Sequence, residues 1–190
     1  MKLHPVELER LTPEILHVFG RQPPLLTAGD KTGLNTMTGG RVKRVREFVG
    51  NEPFMLTYGD GVSDVNITEL VKFHQSHGKL VTMSAYNAGQ RFGVLDIGPD
   101  GQISEFREKT QGDGNMINIG FMVCQPEFID YIDGDDTVLE KAPLETVAKL
   151  GQLMAYKHNG FWQCMDTVRE KETLEKMWAT GQAPWKVWAD

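Results

Sequence analysis

Two rhythms of apolar positions alternate along the chain from about residue 40 onward. Phe54-Met55-Leu56-Thr57-Tyr58 is a short apolar run closed by Gly59, the signature of a buried strand. NITELVKFHQSHG then repeats with helical spacing, with Asn66 as N-cap, Glu69 at the capping-box position and Gly78 as its stop. KLVTMSAY predicts the next strand, and GVLDIGPDGQISEFREK holds two alternating runs joined by Pro99-Asp100-Gly101, a hairpin signal. MINIGFMVC is a further strand, PEFIDYI opens a helix at Pro126, and another helix spans about Leu144 to Leu150. QLMAYKH returns to strand, and GFWQCMDT is a loop feeding a last helix through Trp178. Ahead of all these, Arg41 to Val49 is basic and periodic in valine and phenylalanine, which predicts a short helix.

Strands interleaved with helices of this length imply an α/β domain: a mixed, mostly parallel sheet with flanking helices and one antiparallel hairpin. Ligands collect at the carboxyl ends of strands in such sheets, which is where Asp60 falls. The amino-terminal stretch has a different texture. Pro5, Pro13, Pro23 and Pro24 lie in it, one amphipathic helix starts at Thr12 as N-cap with Pro13 at N1 and runs to Phe19, and RQPPLLTAGDKTG is loop-like. Residues 1–31 are therefore set apart from 32–190 as an atypical amino-terminal segment.

Composition narrows the function classes. A chain of 190 residues with 40% hydrophobic content can bury one sizeable core. The formal charge of −6 argues against a general nucleic-acid surface, so an anionic ligand must be gripped locally. No run approaches a membrane span, and MKLHPVELER lacks the plan of a signal peptide, so the expected address is cytoplasmic, with no membrane partner. Cys124 and Cys164 lack metal-ligand spacing and read as buried thiols.

The most telling stretch is TYGDGV. Glycines on both sides of Asp60 allow backbone to approach a ligand closely, Gly59 in particular, and permit positive φ. A carboxylate so placed suits a hard cation such as Mg²⁺, which takes one or two carboxylates and completes its shell with water and substrate phosphates. An Asp-Gly pair can equally be a chain reversal. A phosphatase nucleophile is excluded, because Tyr58 stands where that chemistry needs a second aspartate. Glu108 and Lys109 end an alternating run and read either as solvated hairpin ends or as ligands. Asn118 shares a strand face with Gly120, and its amide requires partners that sugar hydroxyls or backbone could supply. In MTGGRVKR the helix start offers unpaired N–H groups to an anion or a base edge. His74 and His77 are assigned to a solvent face. Trp178, Trp185 and Trp188 either pack back onto the domain or cover a contact between subunits.

TGLNTMTGGRVKRV, FMLTYGDGVSDVNI, RFGVLDI, FREKTQGDGNMINIGFMV and GFWQCMDTVREK occur in this order. Together they resemble the sugar-1-phosphate nucleotidyltransferases, and within that family the cytidylyltransferase branch that makes CDP-glucose from CTP and glucose 1-phosphate. The resemblance runs from about Thr32 to Asp190 and implies a glycosyltransferase-A-like fold. It further implies that Asp60 and Asp166 hold Mg²⁺, that Glu108 contacts sugar hydroxyls, and that Lys109 pairs with the sugar phosphate. Asn118 and Gly120 would line the sugar site, and Thr38, Gly39 and Arg41 the nucleotide site. Thr110 replaces the proline usual after this Glu-Lys pair, and Ile119 a usual glycine. The family's GGxGTRL loop and PKP segment do not occur in residues 1–31. The expected domain is thus amino-terminally incomplete in this chain. Three roles follow: a shortened cytidylyltransferase, a catalytically dead sugar-phosphate or nucleotide binding module, or a subunit completed by a separate chain. Homo-oligomers are expected from the family.

Overall fold

A computed structural model describes residues 32–87, 93–97, 103–108 and 116–188. The helix expected from Thr12 to Phe19 and the turn at Pro99-Asp100-Gly101 lie outside them. In chain order the elements are α1 (Thr38–Arg44), α2 (Arg46–Val49), β1 (Phe54–Thr57), β2 (Gly61–Ser63), α3 (Ile67–His77), β3 (Val81–Asn87), β4 (Gly93–Ile97) and β5 (Ile103–Glu108). They continue with β6 (Met116–Cys124), a 3₁₀ helix (Pro126–Tyr131), α4 (Ala142–Lys149), β7 (Leu153–His158), β8 (Trp162–Cys164) and α5 (Val168–Ala179). The chain divides into two compact units: one holds 32–59, 65–83 and 120–156, the other 60–64, 157–188 and the described parts of 84–119.

A mixed four-stranded sheet in the order β1-β6-β3-β7 organises the first unit. β6 runs antiparallel to β1, with Phe54 opposite Cys124 and Thr57 opposite Phe121. At the far edge Gln125 N donates to Leu80 O (2.8 Å), joining the end of β6 to the start of β3. Val81 N donates to Gln152 O (3.0 Å), joining the starts of β3 and β7, so these two strands run alike. Antiparallel pairing therefore reaches beyond the expected hairpin, which is itself present as β4 against β5.

Alternation along β6 feeds two apolar clusters, since successive side chains point to opposite faces. Met122 and Cys124 join Val81, Phe128, Ile129, Leu139 and Val147 in one, while Val123 joins Leu70 and Val71 of α3 in the other, with Met55, Phe121 and Tyr156 at its margin. Each fully buried side chain of this size contributes about 1.5–3 kcal/mol. β1 stands at one end of the described sheet, so Phe54 to Leu56 are half-buried rather than enclosed.

The helix expected from Arg41 begins earlier, at Thr38, and breaks at Val45. Gly39 and Gly40 are poor helix formers, yet both are buried, and backbone of Thr137 and Asp135 fills the space a Cβ would need. PEFIDY forms a 3₁₀ helix. The loop GFWQCMDT contains a strand, β8, whose three residues pair with the three of β2.

The solvent face assigned to His74 and His77 is corrected. His74 is 1% exposed; its Nδ1 lies 2.8 Å from Thr82 Oγ1 and its Nε2 3.0 Å from the Gln125 side chain. His77 Nε2 meets the same hydroxyl at 2.7 Å, and its Nδ1 accepts from Lys79 N. Burial, then repulsion from His77, pushes His74 down to about 4; burial and Lys79 lower His77 as well.

Candidate functional site

In the second unit β2 and β8 align Gly61 with Cys164 and Ser63 with Trp162. The ladder continues one step further, because Met165 N donates to Asp60 O at 2.7 Å. Asp60 and Asp166, both exposed, therefore sit at adjoining strand ends, one residue off register. Of the flanking glycines, Gly59 faces open space, whereas a Cβ on Gly61 would lie 3.2 Å from Trp162 Nε1. Neither adopts the positive φ anticipated for them. Clearance for a ligand is thus a property of Gly59, and Gly61 makes room for a ring.

Asp166 stands in a group with Cys164 and Glu170 whose ligand atoms lie within 4.8 Å of one another. Burial pushes the Cys164 thiol up, and the Asp166 carboxylate and the charge of Glu170 act in the same direction, while a hydrogen bond from the Asp166 backbone opposes them. Glu170 is committed to the start of α5: its Oε2 accepts from Thr167 N (3.0 Å) while Glu170 N donates to Thr167 Oγ1 (3.2 Å), a reciprocal capping box. The donors suited to a hard divalent cation are the oxygens of Asp60 and Asp166, and that donor chemistry fits Mg²⁺.

A second set of contacts, which sequence reasoning missed, lies at the other end of the β2–β8 ladder. Asp64 Oδ1 accepts from Phe161 N at 2.6 Å and stands 3.0 Å from His158 Nε2. Ser63 Oγ donates to Phe161 O at 2.7 Å, and a Cβ on Gly160 would collide with the Asp64 carboxylate. The His158 ring also packs against Tyr86. The signal available was the second aspartate of GDGVSD, four residues after the first.

In the first unit the start of α1 docks on residues 135–140. Gly39 N and Gly40 N donate to Thr137 O (2.9 and 3.3 Å), which corrects the expectation of unpaired N–H groups there. Thr38 Oγ1 donates to Glu140 Oε2 (2.8 Å) and accepts from Leu139 N (2.9 Å). Arg41 bonds Thr32 Oγ1 at 2.7 Å and Leu34 O at 3.4 Å. The other oxygen of Glu140 accepts from Tyr58 Oη at 2.7 Å. The Tyr58 ring lies over Gly120, whose φ is +80° and whose missing side chain leaves the space the ring occupies. Asn118 is half-buried on β6, Glu108 closes β5 opposite Gly93, and Lys109 lies outside the described residues. Of the described site residues, Asp60, Asp166, Glu108 and Asn118 thus belong to the second unit, and Thr38, Gly39, Arg41, Gly59 and Gly120 to the first.

Of the carboxyl-terminal tryptophans Trp185 packs back within the second unit, while Trp178 and Trp188 pack on each other and stay exposed. Trp185 stacks on Phe161 (5.5 Å between ring centres), Trp178 meets Trp188, and Lys186 Nζ lies over the Trp178 ring. Both cysteines are free, Cys124 fully buried and Cys164 half-buried. Among the described residues no helix is long and apolar enough to cross a membrane.

A profile of the nucleotidyl transferase family matches residues 25–185. Glucose-1-phosphate cytidylyltransferases of Salmonella typhi and Salmonella typhimurium are each 53% identical over 158 residues, covering 83% of this chain and 61% of theirs. The chain thus spans about three fifths of these relatives' length. A UDP-glucose pyrophosphorylase solved with UDP-glucose superposes with a TM-score of 0.57 at 16% identity, over 79% of this chain and 64% of its own, a likeness of fold.

Proposed function

The chain belongs to the nucleotidyl transferase family, and on that premise we propose that it serves glucose-1-phosphate cytidylyltransferase activity. The reaction joins CTP and α-D-glucose 1-phosphate to give CDP-glucose and pyrophosphate. An oxygen of the sugar phosphate attacks the α-phosphorus of CTP, and pyrophosphate departs from the far side. The observation that carries this reading is the bond from Met165 N to Asp60 O, which brings two carboxylate-bearing residues to adjoining strand ends. The choice of cytidine and glucose is supported by the 53% identity to the Salmonella enzymes.

Asp60 and Asp166 would hold Mg²⁺, which offsets repulsion between the two anionic substrates and stabilises charge developing in transfer. Lys109 pairs with the sugar phosphate, and Glu108 and Asn118 bond sugar hydroxyls beside Gly120. Gly59, open on its face, lets the phosphates approach backbone. Arg41, Gly39 and Thr38 belong to the nucleotide side. The Thr38 hydroxyl donates to Glu140 and accepts from Leu139, so its remaining lone pair suits a donor such as the cytosine amino group.

Calorimetric titration of the chain with CDP-glucose tests the proposal. Binding should require Mg²⁺ and exceed that of UDP-glucose; equal affinity for both, or indifference to Mg²⁺, would sink it.

A further inference from the structure

The strands β2 and β8 have three residues each. So short a ladder defines its own alignment weakly, and a slip of one residue would turn every side chain to the opposite face. In the observed register Gly61 faces Cys164 and Asp60 O accepts from Met165 N, which puts Asp60 and Asp166 at adjoining strand ends. Something beyond the ladder must fix it.

We propose that Asp64 is the positioning residue that sets this register and so keeps Asp60 beside Asp166. Asp64 follows β2 directly, and Phe161 directly precedes β8. Two bonds join them, Phe161 N donating to Asp64 Oδ1 (2.6 Å) and Asp64 N donating to Phe161 O (3.2 Å), and Ser63 Oγ adds a third to Phe161 O (2.7 Å). His158, 8% exposed, closes the group: its Nε2 lies 3.0 Å from Asp64 Oδ1, 3.0 Å from Phe161 O and 3.2 Å from Ser63 Oγ. A ring nitrogen facing a carboxylate and a carbonyl must carry the proton and donate. Ser63 and Asp64 approach the same nitrogen, so this is no Ser-His-Asp nucleophile, in which they would take opposite ones. The carboxylate points back toward β8, and Gly160 is the residue that leaves it space. The whole group functions as a clasp: charge-assisted bonds at one end of a minimal ladder hold the acidic pair at the other.

The catalytic consequence rests on the proposal that Asp60 and Asp166 share a divalent cation, and two readouts on the full chain keep the claims separate. The first needs no metal: residue-resolved hydrogen exchange of the Met165 amide, which donates to Asp60 O. Asp64→Ala should speed that exchange about tenfold, the equivalent of one bond to a charged group, while amides of α3 stay protected. Asp64→Asn keeps an Oδ1 acceptor and should restore protection. Should Asp64→Ala fail to fold, Gly160→Ala displaces the same carboxylate and should give the same increase. Unchanged Met165 protection in folded Asp64→Ala or Gly160→Ala overturns the positioning role. The second readout is Mn²⁺ titration followed by electron paramagnetic resonance. Asp64→Ala should weaken Mn²⁺ about tenfold, as loss of an orienting partner does, and Asp64→Asn should not. Equal weakening by Asp64→Asn would instead make Asp64 a charged ligand and overturn the positioning role. Mn²⁺ binding that survives Asp60→Ala overturns the shared cation and leaves the register claim to be judged by exchange.

Discussion

The carbonyl of Asp60 accepts the amide proton of Met165 across 2.7 Å, which carries the β2–β8 ladder one step past its last strand residues. That backbone bond marks the end of the ladder where two acids distant in the chain come to adjoining strand ends.

Because both carboxylates are exposed, neutralising either should leave the fold intact while removing cation-dependent binding. Asp60→Asn and Asp166→Asn should each change unfolding free energy by no more than about 0.5 kcal/mol. Each should also abolish the Mg²⁺ requirement of CDP-glucose binding together with most of the affinity. Denaturation curves paired with calorimetry check both halves.

Gly120 and Gly59 should respond in opposite ways to the same change. At Gly120 an alanine meets both a positive φ and the Tyr58 ring, so Gly120→Ala should cost about 1–3 kcal/mol of stability. Gly59 has open space and no such φ, so Gly59→Ala should be neutral or stabilising by up to about 1 kcal/mol. It should still lower CDP-glucose affinity. Urea unfolding of the two variants side by side decides.

Acid should weaken the first unit through His74. Its folded value of about 4 lies below the unfolded one near 6.5. The unfolded chain therefore binds more protons between these limits. Stability is fully present above about pH 6.5 and is lost as pH falls toward 4, by up to roughly 3 kcal/mol. His77, lowered for similar reasons, adds in the same direction. Urea midpoints at pH 7 and pH 4.5 should show the decline, and His74→Gln should flatten it.

Glu140 ties Thr38 to Tyr58 through its two oxygens. A double-mutant cycle of Glu140→Ala with Tyr58→Phe should give a coupling of about 0.5–1.5 kcal/mol, the value of one net hydrogen bond. Additive losses would show that the phenol and the carboxylate do not interact in solution.

Features whose causes are local were legible in the sequence. Asn66 accepts from Glu69 N and Gly78 adopts φ 62°, both as anticipated, although the Glu69 carboxylate pairs with Lys72 instead of closing the box. Strands long enough to alternate, such as β6, were equally visible. What escaped depends on partners distant in the chain. α1 includes two glycines because backbone of residues 135–137 lies against them, which no helix propensity encodes. β2 and β8 are too short to show a period and exist only as a pair. His74 reads as a surface residue until Thr82 and Gln125 arrive to satisfy both ring nitrogens. Asp60 was singled out by its motif and Asp166 by family resemblance, whereas Asp64 was not, since its partners are a backbone amide and a histidine nearly a hundred residues away.

The stacking of Trp185 on Phe161 also has a spectroscopic use. Phe161 is the residue clasped by Asp64, so the emission of that indole is a built-in optical gauge of whether the clasp is shut. With the other three tryptophans changed to phenylalanine, stopped-flow fluorescence would time its opening directly, without a label.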